Sequence, residues 1–281
     1  MTNEYNESNA DLLNIEIKLL LEAIFLKYGY DFRNYSKAHI KRRVLHWLNV
    51  NHTKTVSELL HNILRNREIF YELLDDLSIN VTEMYRDPEF YKSLRNIVIP
   101  KLNTYAYFKI WHAGCSTGEE VYSLAILLKE EGLLGRCQIY ATDFNNKVLE
   151  IAREGIYKKA DIEQYNRNYE LAGGKYNLSD YYQAMYGSVK FQNELSERIV
   201  FADHNLVTDS VFADVNLILC RNVMIYFDKS LQNQVLKLFY ESLVPSGILC
   251  LGSKETIKYT QSENYFDTLD EKQRIYKKKL I

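Results

Sequence analysis

The stretch FKIWHAGCSTGEEVYSLAILLKEEGLLGRCQIYATD, from Phe108 to Asp143, decides the fold. A short apolar run (Ile110, Trp111, Ala113) leads into Gly114-Cys-Ser-Thr-Gly118. Apolar residues then recur at Val121, Leu124, Ala125, Ile126 and Leu128. That pattern predicts a strand, a tight turn and an amphipathic helix. Beyond Gly132 and Gly135 a second β-type run, Gln138 to Thr142, ends at Asp143, so the piece reads as one β-α-β unit.

In such a unit the carboxyl end of the first strand is the privileged place. Glycines there let a ligand approach the backbone, and the free N–H groups of the following helix point outward. An acid at the tip of the second strand can accept both hydroxyls of a ribose, so Gly114, Gly118 and Asp143 predict an adenosine-type ligand. The spacing is neither G-x-G-x-x-G nor G-x-x-x-x-G-K-[ST]. Glu119 and Glu120 sit where a pyrophosphate would lie and would repel it. A ligand carrying an ammonium group fits better, and S-adenosylmethionine carries one. Taken alone, the motif is equally compatible with an ordinary glycine turn.

At 281 residues the chain has room for one large domain or two small ones. Its 47% hydrophobic and 26% charged content is that of a soluble globular protein. Lys+Arg 35 against Asp+Glu 37 leaves a net charge of -2, which argues against nucleic acid as a partner. Cys115, Cys137, Cys220 and Cys250 show no C-x-x-C spacing and lie in or beside apolar runs, so reduced buried thiols are expected and no metal site. No apolar run approaches a membrane span, and a cytoplasmic location follows as the expectation.

Residues 1–10 read as a frayed start. Apolar positions from Asp11 to Tyr28 follow helical spacing, and a second helix is expected from Ser36, a candidate N-cap. On it, Ile40, Val44, Trp47 and Leu48 form one face. His39, Arg42, Arg43 and His46 form a cationic stripe on the other, either a solvated face or a docking surface for an acidic partner. Helical pattern continues from Thr55 to Ile79. The linker Asn80-Val-Thr82-Glu-Met-Tyr-Arg86 is spaced so that a curled segment turns Asn80, Thr82 and Arg86 toward one ligand. After a helix from Asn145 to Glu154, the Tyr-rich stretch 157–191 predicts a helix or two and an irregular hairpin inserted in an α/β domain. Strands follow at Ile199–Phe201 and Val215–Cys220. The second is nearly all apolar, as in a parallel sheet covered on both faces. It runs directly into Arg221 and Asn222, polar groups that are costly there unless they reach the crevice at the strand ends. A further buried strand spans Ile248–Leu251. Arg274-Ile-Tyr-Lys-Lys reads as an edge strand guarded by lysines.

Taken in order, Asn80-Val-Thr82-Glu-Met-Tyr-Arg86, Gly114-Cys-Ser-Thr-Gly118-Glu119-Glu120, Ala141-Thr-Asp143, Asp203-His-Asn205-Leu206 and Cys220-Arg221-Asn222-Val-Met-Ile-Tyr226-Phe227 closely resemble the chemotaxis-receptor glutamate methyltransferases, the CheR family. The resemblance covers nearly the whole chain, with one departure at Met84-Tyr85, where two phenylalanines are usual. It implies an α/β fold: a class I, Rossmann-like methyltransferase domain over 101–281, with a small β-subdomain inserted at about 157–195. An all-helical domain over 1–80 and a linker with its first helix over 81–100 would precede it. It implies S-adenosylmethionine as methyl donor, S-adenosylhomocysteine as product, and no metal. Asn80, Thr82 and Arg86 would close over the cofactor, Gly114 and one or both of Glu119 and Glu120 would meet its methionine part, and Asp143 would bind its ribose. Asn205 and Leu206 would flank adenine, while Arg221, Asn222 and Tyr226 would line the methyl-transfer site.

The implied reaction is direct displacement onto a glutamate carboxylate of a chemoreceptor's cytoplasmic domain. A glutamate side chain ordinarily titrates at about 4.3 and is therefore ionised without a general base, which fits a sequence offering no obvious His-carboxylate pair. Arg221 is expected to orient the acceptor, Tyr226 to fix its angle, and Arg86 to hold the cofactor's carboxylate. In the family the second helix contacts the receptor, favouring docking for His39, Arg42, Arg43 and His46; a receptor's C-terminal tether would meet the inserted subdomain. Two alternatives stay open: a same-fold methyltransferase for another acid substrate, and a non-catalytic module that binds the cofactor or its product.

Overall fold

The structure, a computed structural model, describes residues 2–78 and 81–280, with side chains from residue 11 onward. Two compact units are present: residues 1–79 together with 226–232, and the remainder.

The first unit is built on four helices: α1 (Thr2–Tyr28), α2 (Lys37–Val50), α3 (Val56–Ile63) and α4 (Arg67–Leu77). α1 starts at Thr2, where the sequence reads as frayed. Its Ile17, Leu20, Leu21 and Ile24 are buried, as are Ile40, Val44, Trp47 and Leu48 of α2. The helical pattern after Thr55 is cut in two by local capping. The Thr55 hydroxyl accepts the Glu58 N–H at 3.1 Å, and the Asn66 side chain accepts the Glu68 N–H at 2.8 Å. Ser36 stands at the N-cap of α2 without a side-chain cap; its N–H donates instead to the Tyr226 carbonyl at 2.8 Å. The Asp228 N–H donates to the Asn34 carbonyl at 2.9 Å, and the Tyr35 and Phe227 rings meet edge-on at 5.0 Å.

The second unit opens with α5 (Pro88–Ser93) and α6 (Ile99–Leu102). It then alternates β1 (Phe108–Ala113), α7 (Glu119–Glu130), β2 (Cys137–Asp143) and α8 (Asn146–Glu154). An insertion holds β3 (Ile156–Lys158), α9 (Ile162–Leu171), β4 (Tyr182–Met185) and β5 (Ser188–Phe191), whose strands form a separate antiparallel sheet in the order β3-β5-β4. The chain returns through α10 (Asn193–Ser196), β6 (Ile199–Asp203), β7 (Val215–Cys220), α11 (Lys229–Ser242), β8 (Leu243–Leu251), β9 (Phe266–Asp270) and β10 (Ile275–Lys278). The main sheet runs β6-β2-β1-β7-β8-β10-β9, parallel from β6 to β8. This is a Rossmann-like arrangement, and β7 is buried along almost its whole length. Several of the many tyrosines tie the insertion to α7: the Tyr181 hydroxyl donates to Glu130 at 3.1 Å, and Tyr169 donates to the same carboxylate.

One sequence expectation fails. β10 is not an edge strand, because it pairs with β8 on one side and β9 on the other. Its Lys278 ammonium donates to the carbonyls of Tyr240 and Leu243, both at 2.7 Å, and so closes the end of α11 rather than guarding an edge.

Candidate functional site

Four parallel strands deliver their carboxyl ends to one crevice. The Gly114 and Cys115 N–H groups donate to the Thr142 carbonyl at 2.8 and 2.9 Å, and the Ser116 N–H donates to Asp143 Oδ2 at 3.0 Å. The turn between β1 and α7 is therefore laced to the tip of β2. Gly114 (φ 74°) and Gly118 (φ 94°) take left-handed conformations there. A Cβ on Gly114 would stand 2.5 Å from Val223 Cγ2, and one on Gly118 would stand 2.9 Å from Ala152 Cβ.

Asp143 is buried, and its other oxygen accepts the Asn145 N–H at 3.1 Å. Burial pushes its carboxyl above the ordinary value, while the N–H groups of Asn145, Ser116 and Phe144 pull the other way. With the Phe144 N–H also donating to it, one further acceptor position on the carboxylate remains for a hydroxyl donor. β6 aligns Asp203 with Asp143, bringing Asn205 and Leu206 to the same rim. The Asn205 Oδ1 accepts the Val207 N–H at 3.0 Å, and Leu206 is buried.

Arg221 leaves β7 into a buried charge cluster. Its guanidinium donates to Glu120 Oε2 at 2.7 Å, to Asp87 Oδ2 at 2.7 Å and to the Arg86 carbonyl at 3.3 Å, and lies 3.9 Å from the centre of the Phe90 ring. Burial disfavours its charge, but Glu120 and Asp87 more than compensate and hold its pKa above the usual guanidinium value. Burial would likewise raise the Glu120 carboxyl, yet Arg221 and the His112 hydrogen bond bring it below the usual range. His112 Nε2 lies 3.1 Å from Glu120 Oε1, a His-carboxylate pair that spans strand, turn and helix and escapes a linear reading. Two carboxylates face one guanidinium here, with His112 on the far oxygen of Glu120. Glu119 is placed differently: buried, with its pKa raised by that burial, it accepts the Thr117 hydroxyl at 2.7 Å and meets no cation among the described residues.

The linker from Val81 is locally curled. Tyr85 and Asp87 are left-handed (φ 52° and 59°), and the Arg86 guanidinium donates to the Val81 carbonyl at 3.0 Å. Arg86 meets no carboxylate among the described residues. Thr82 is half-buried beside it; Asn80 lies outside the described residues. Tyr85, at the point of departure from two phenylalanines, is fully buried against Tyr91 and Tyr169. Asn222 is left-handed (φ 62°), and its N–H donates to Glu255. Tyr226 belongs with the helical unit, where its ring meets His39 edge-on at 5.0 Å. In that unit Arg42 and His46 are exposed while His39 and Arg43 are half-buried. Burial, with Arg42 and Arg43 nearby, lowers the His39 pKa.

Residues 80–275 match the family described as CheR methyltransferase, SAM binding domain, and residues 15–78 match CheR methyltransferase, all-alpha domain. The chain belongs to the CheR methyltransferases. A CheR-related protein of Pseudomonas putida, Cher3, is 50% identical over 273 residues, covering 97% of this chain and 99% of that one. A chemotaxis protein methyltransferase of Borreliella burgdorferi is 30% identical over 94% of this chain and 95% of its own. One of Listeria innocua is 30% identical over 82% and 85%.

The cofactor of this CheR chain is S-adenosylmethionine, and the crevice suits it chemically. A buried carboxylate with one spare acceptor position stands at the tip of β2, and the carboxylates of Glu120 and Asp87 lie beyond the glycine turn. No group of side chains fit to hold a metal ion occurs among the described residues, and no helix there is long and apolar enough to cross a membrane. One residue central to this crevice was missed in the sequence: Glu255, whose buried carboxylate collects N–H groups from the loop after β7. The signal was present, since a glutamate four residues beyond a buried strand raises the same question as Arg221 after β7.

Proposed function

We propose that this chain transfers a methyl group from S-adenosylmethionine to glutamate side chains in the cytoplasmic domain of a chemoreceptor, leaving glutamate methyl esters and S-adenosylhomocysteine. The observation that carries the reading is the Arg221–Glu120–Asp87 cluster beside the Gly114 turn, in which two carboxylates meet one guanidinium. It supports a cationic donor and, with the names of the relatives, chemotaxis as the setting.

The bound cofactor supplies an electrophilic methyl on a sulfonium. The chain's own residues align and exclude water. Asp143 takes the ribose hydroxyls, Asn205 and Leu206 flank adenine, and Arg86 holds the carboxylate of the methionine part, together with Thr82 and Asn80. Of the two glutamates after the turn, Glu120 is assigned to the ammonium end, since it belongs to the cluster where two carboxylates share one guanidinium; Glu119 faces the Thr117 hydroxyl. Arg221 has both terminal nitrogens committed to Glu120 and Asp87, so it acts here by setting those two carboxylates and the Asn222 loop, and it need not clamp the acceptor by itself. Tyr226 is retained as a methyl-site residue on the strength of the resemblance. An incoming carboxylate is already ionised, and its approach to a sulfonium neutralises charge, so alignment and dryness are the useful contributions. His39, Arg42, Arg43 and His46 dock the receptor, and the inserted sheet is the candidate holder of its C-terminal tether.

The test is methyl transfer from labelled cofactor to unmodified receptor cytoplasmic fragments, beside free small dicarboxylic acids. Label entering the fragment alone supports the reading. Label entering the small acids alone assigns a different substrate, and cofactor binding with no transfer to either favours a non-catalytic module.

A further inference from the structure

β8 ends at Leu251 and is followed by Gly252-Ser-Lys-Glu255. Glu255 is only 4% exposed, yet every acceptor position of its carboxylate is filled by backbone. Oε1 takes the N–H groups of Val223 (2.9 Å) and Met224 (2.7 Å); Oε2 takes those of Asn222 (2.9 Å) and Gly252 (2.5 Å). Three consecutive N–H groups converge on one side chain because Asn222 is left-handed, which turns the loop into a concave donor nest. A nest of this kind commonly receives an anion from outside; here the chain provides its own.

That loop has two working ends. Its preceding residue, Arg221, enters the Glu120–Asp87 cluster. Val223 reaches over Gly114 so closely that only a glycine fits beneath it. With its lone pairs filled, Glu255 has nothing left to offer a substrate. We propose that Glu255 is a positioning residue for methyl transfer: by gathering the 222–224 amides it fixes Arg221 on one side and Val223, over the cofactor turn, on the other. This rests on the reading of the crevice as the transfer site.

Glu255→Gln preserves shape but turns an amide donor toward two of the four N–H groups whichever way it is oriented, so one pair of donors is left without an acceptor. At saturating cofactor and receptor fragment, kcat is expected to fall about tenfold or more, the range for losing a hydrogen bond to a charged group. S-adenosylhomocysteine affinity is expected to change much less. Gly252→Ala should give the same split with the carboxylate intact, because its Cβ would stand 2.7 Å from both the Asn222 nitrogen and Glu255 Oε2. A core variant of matched melting temperature, such as Leu236→Ala in α11, should keep its kcat below that temperature. Hydrogen exchange at Asn222, Val223 and Met224 gives a readout without turnover and should accelerate in Glu255→Gln. Unchanged exchange there, or wild-type kcat in an active protein, overturns the proposal, as does an equal loss in the matched core variant. Faster exchange in a protein whose wild type transfers no methyl group would uphold the loop anchor while refuting the transfer reading itself.

Discussion

Replacing Arg221 by methionine asks whether that guanidinium is an internal counter-ion or a free clamp. In the structure its side chain is 1% exposed and the Glu120 side chain 9%, with 2.7 Å between them. Removing one partner of such a pair strands a buried charge and costs about 3–5 kcal/mol. The Asp87 contact, 39% exposed on the carboxylate side, adds no more than about 1 kcal/mol after solvent screening. The buried pair alone corresponds to a fall of about 6–20 °C in melting temperature for a unit of this size. Urea unfolding followed by Trp111, buried in β1, in a Trp47→Phe background isolates the relevant unit. Adding Glu120→Gln should recover a good part of the loss, because the stranded carboxylate is then gone. An unchanged urea midpoint in Arg221→Met would refute the reasoning and return Arg221 to the role of a free acceptor clamp.

Asp143→Ala should weaken S-adenosylhomocysteine binding about tenfold or more in a calorimetric titration, through lost charge-assisted bonds and a loosened Ser116 turn. Gly118→Ala should destabilise the second unit by about 1–3 kcal/mol in urea, since it meets both a left-handed backbone and the Ala152 methyl. Arg42→Glu with Arg43→Glu should slow methylation of membrane-embedded receptor while leaving cofactor affinity alone, most visibly at low salt; equal rates would make the stripe a solvated face. Burial would raise the Glu120 carboxyl, but Arg221 and His112 outweigh it and lower its pKa. Its stabilising contribution is therefore complete above the ordinary value of 4.5 and lost as pH falls through the lower folded value. The stability gap between wild type and Glu120→Gln should accordingly narrow in acid, as read from urea midpoints across that window.

The β-α-β unit was legible because its signals are local: apolar period, glycine punctuation and an acid at a strand tip. Arg221 was legible for a different reason, that a charge after a buried strand must have a destination. What it meets was not legible. Glu120 and Asp87 lie 101 and 134 positions away, and only the placement of β7 beside β1 under the curled linker brings them together. The His112–Glu120 pair was overlooked because strand and helix periods place those residues on one side only once the turn is built. Glu255 depends likewise on β8 lying next to β7. The lysines of β10 misled for a chemical reason: on a strand end they serve an edge and a helix terminus equally well, and only the pairing with β9 decides between them.

The most direct test of the central claim maps the product. A receptor cytoplasmic fragment, incubated with this protein and S-adenosylmethionine carrying a labelled methyl group, is digested and its peptides examined for label before and after mild alkali. The account predicts label on glutamate-bearing peptides that alkali releases as methanol, and none once those glutamates are changed to alanine. Label that survives alkali, or that persists without the glutamates, would contradict it.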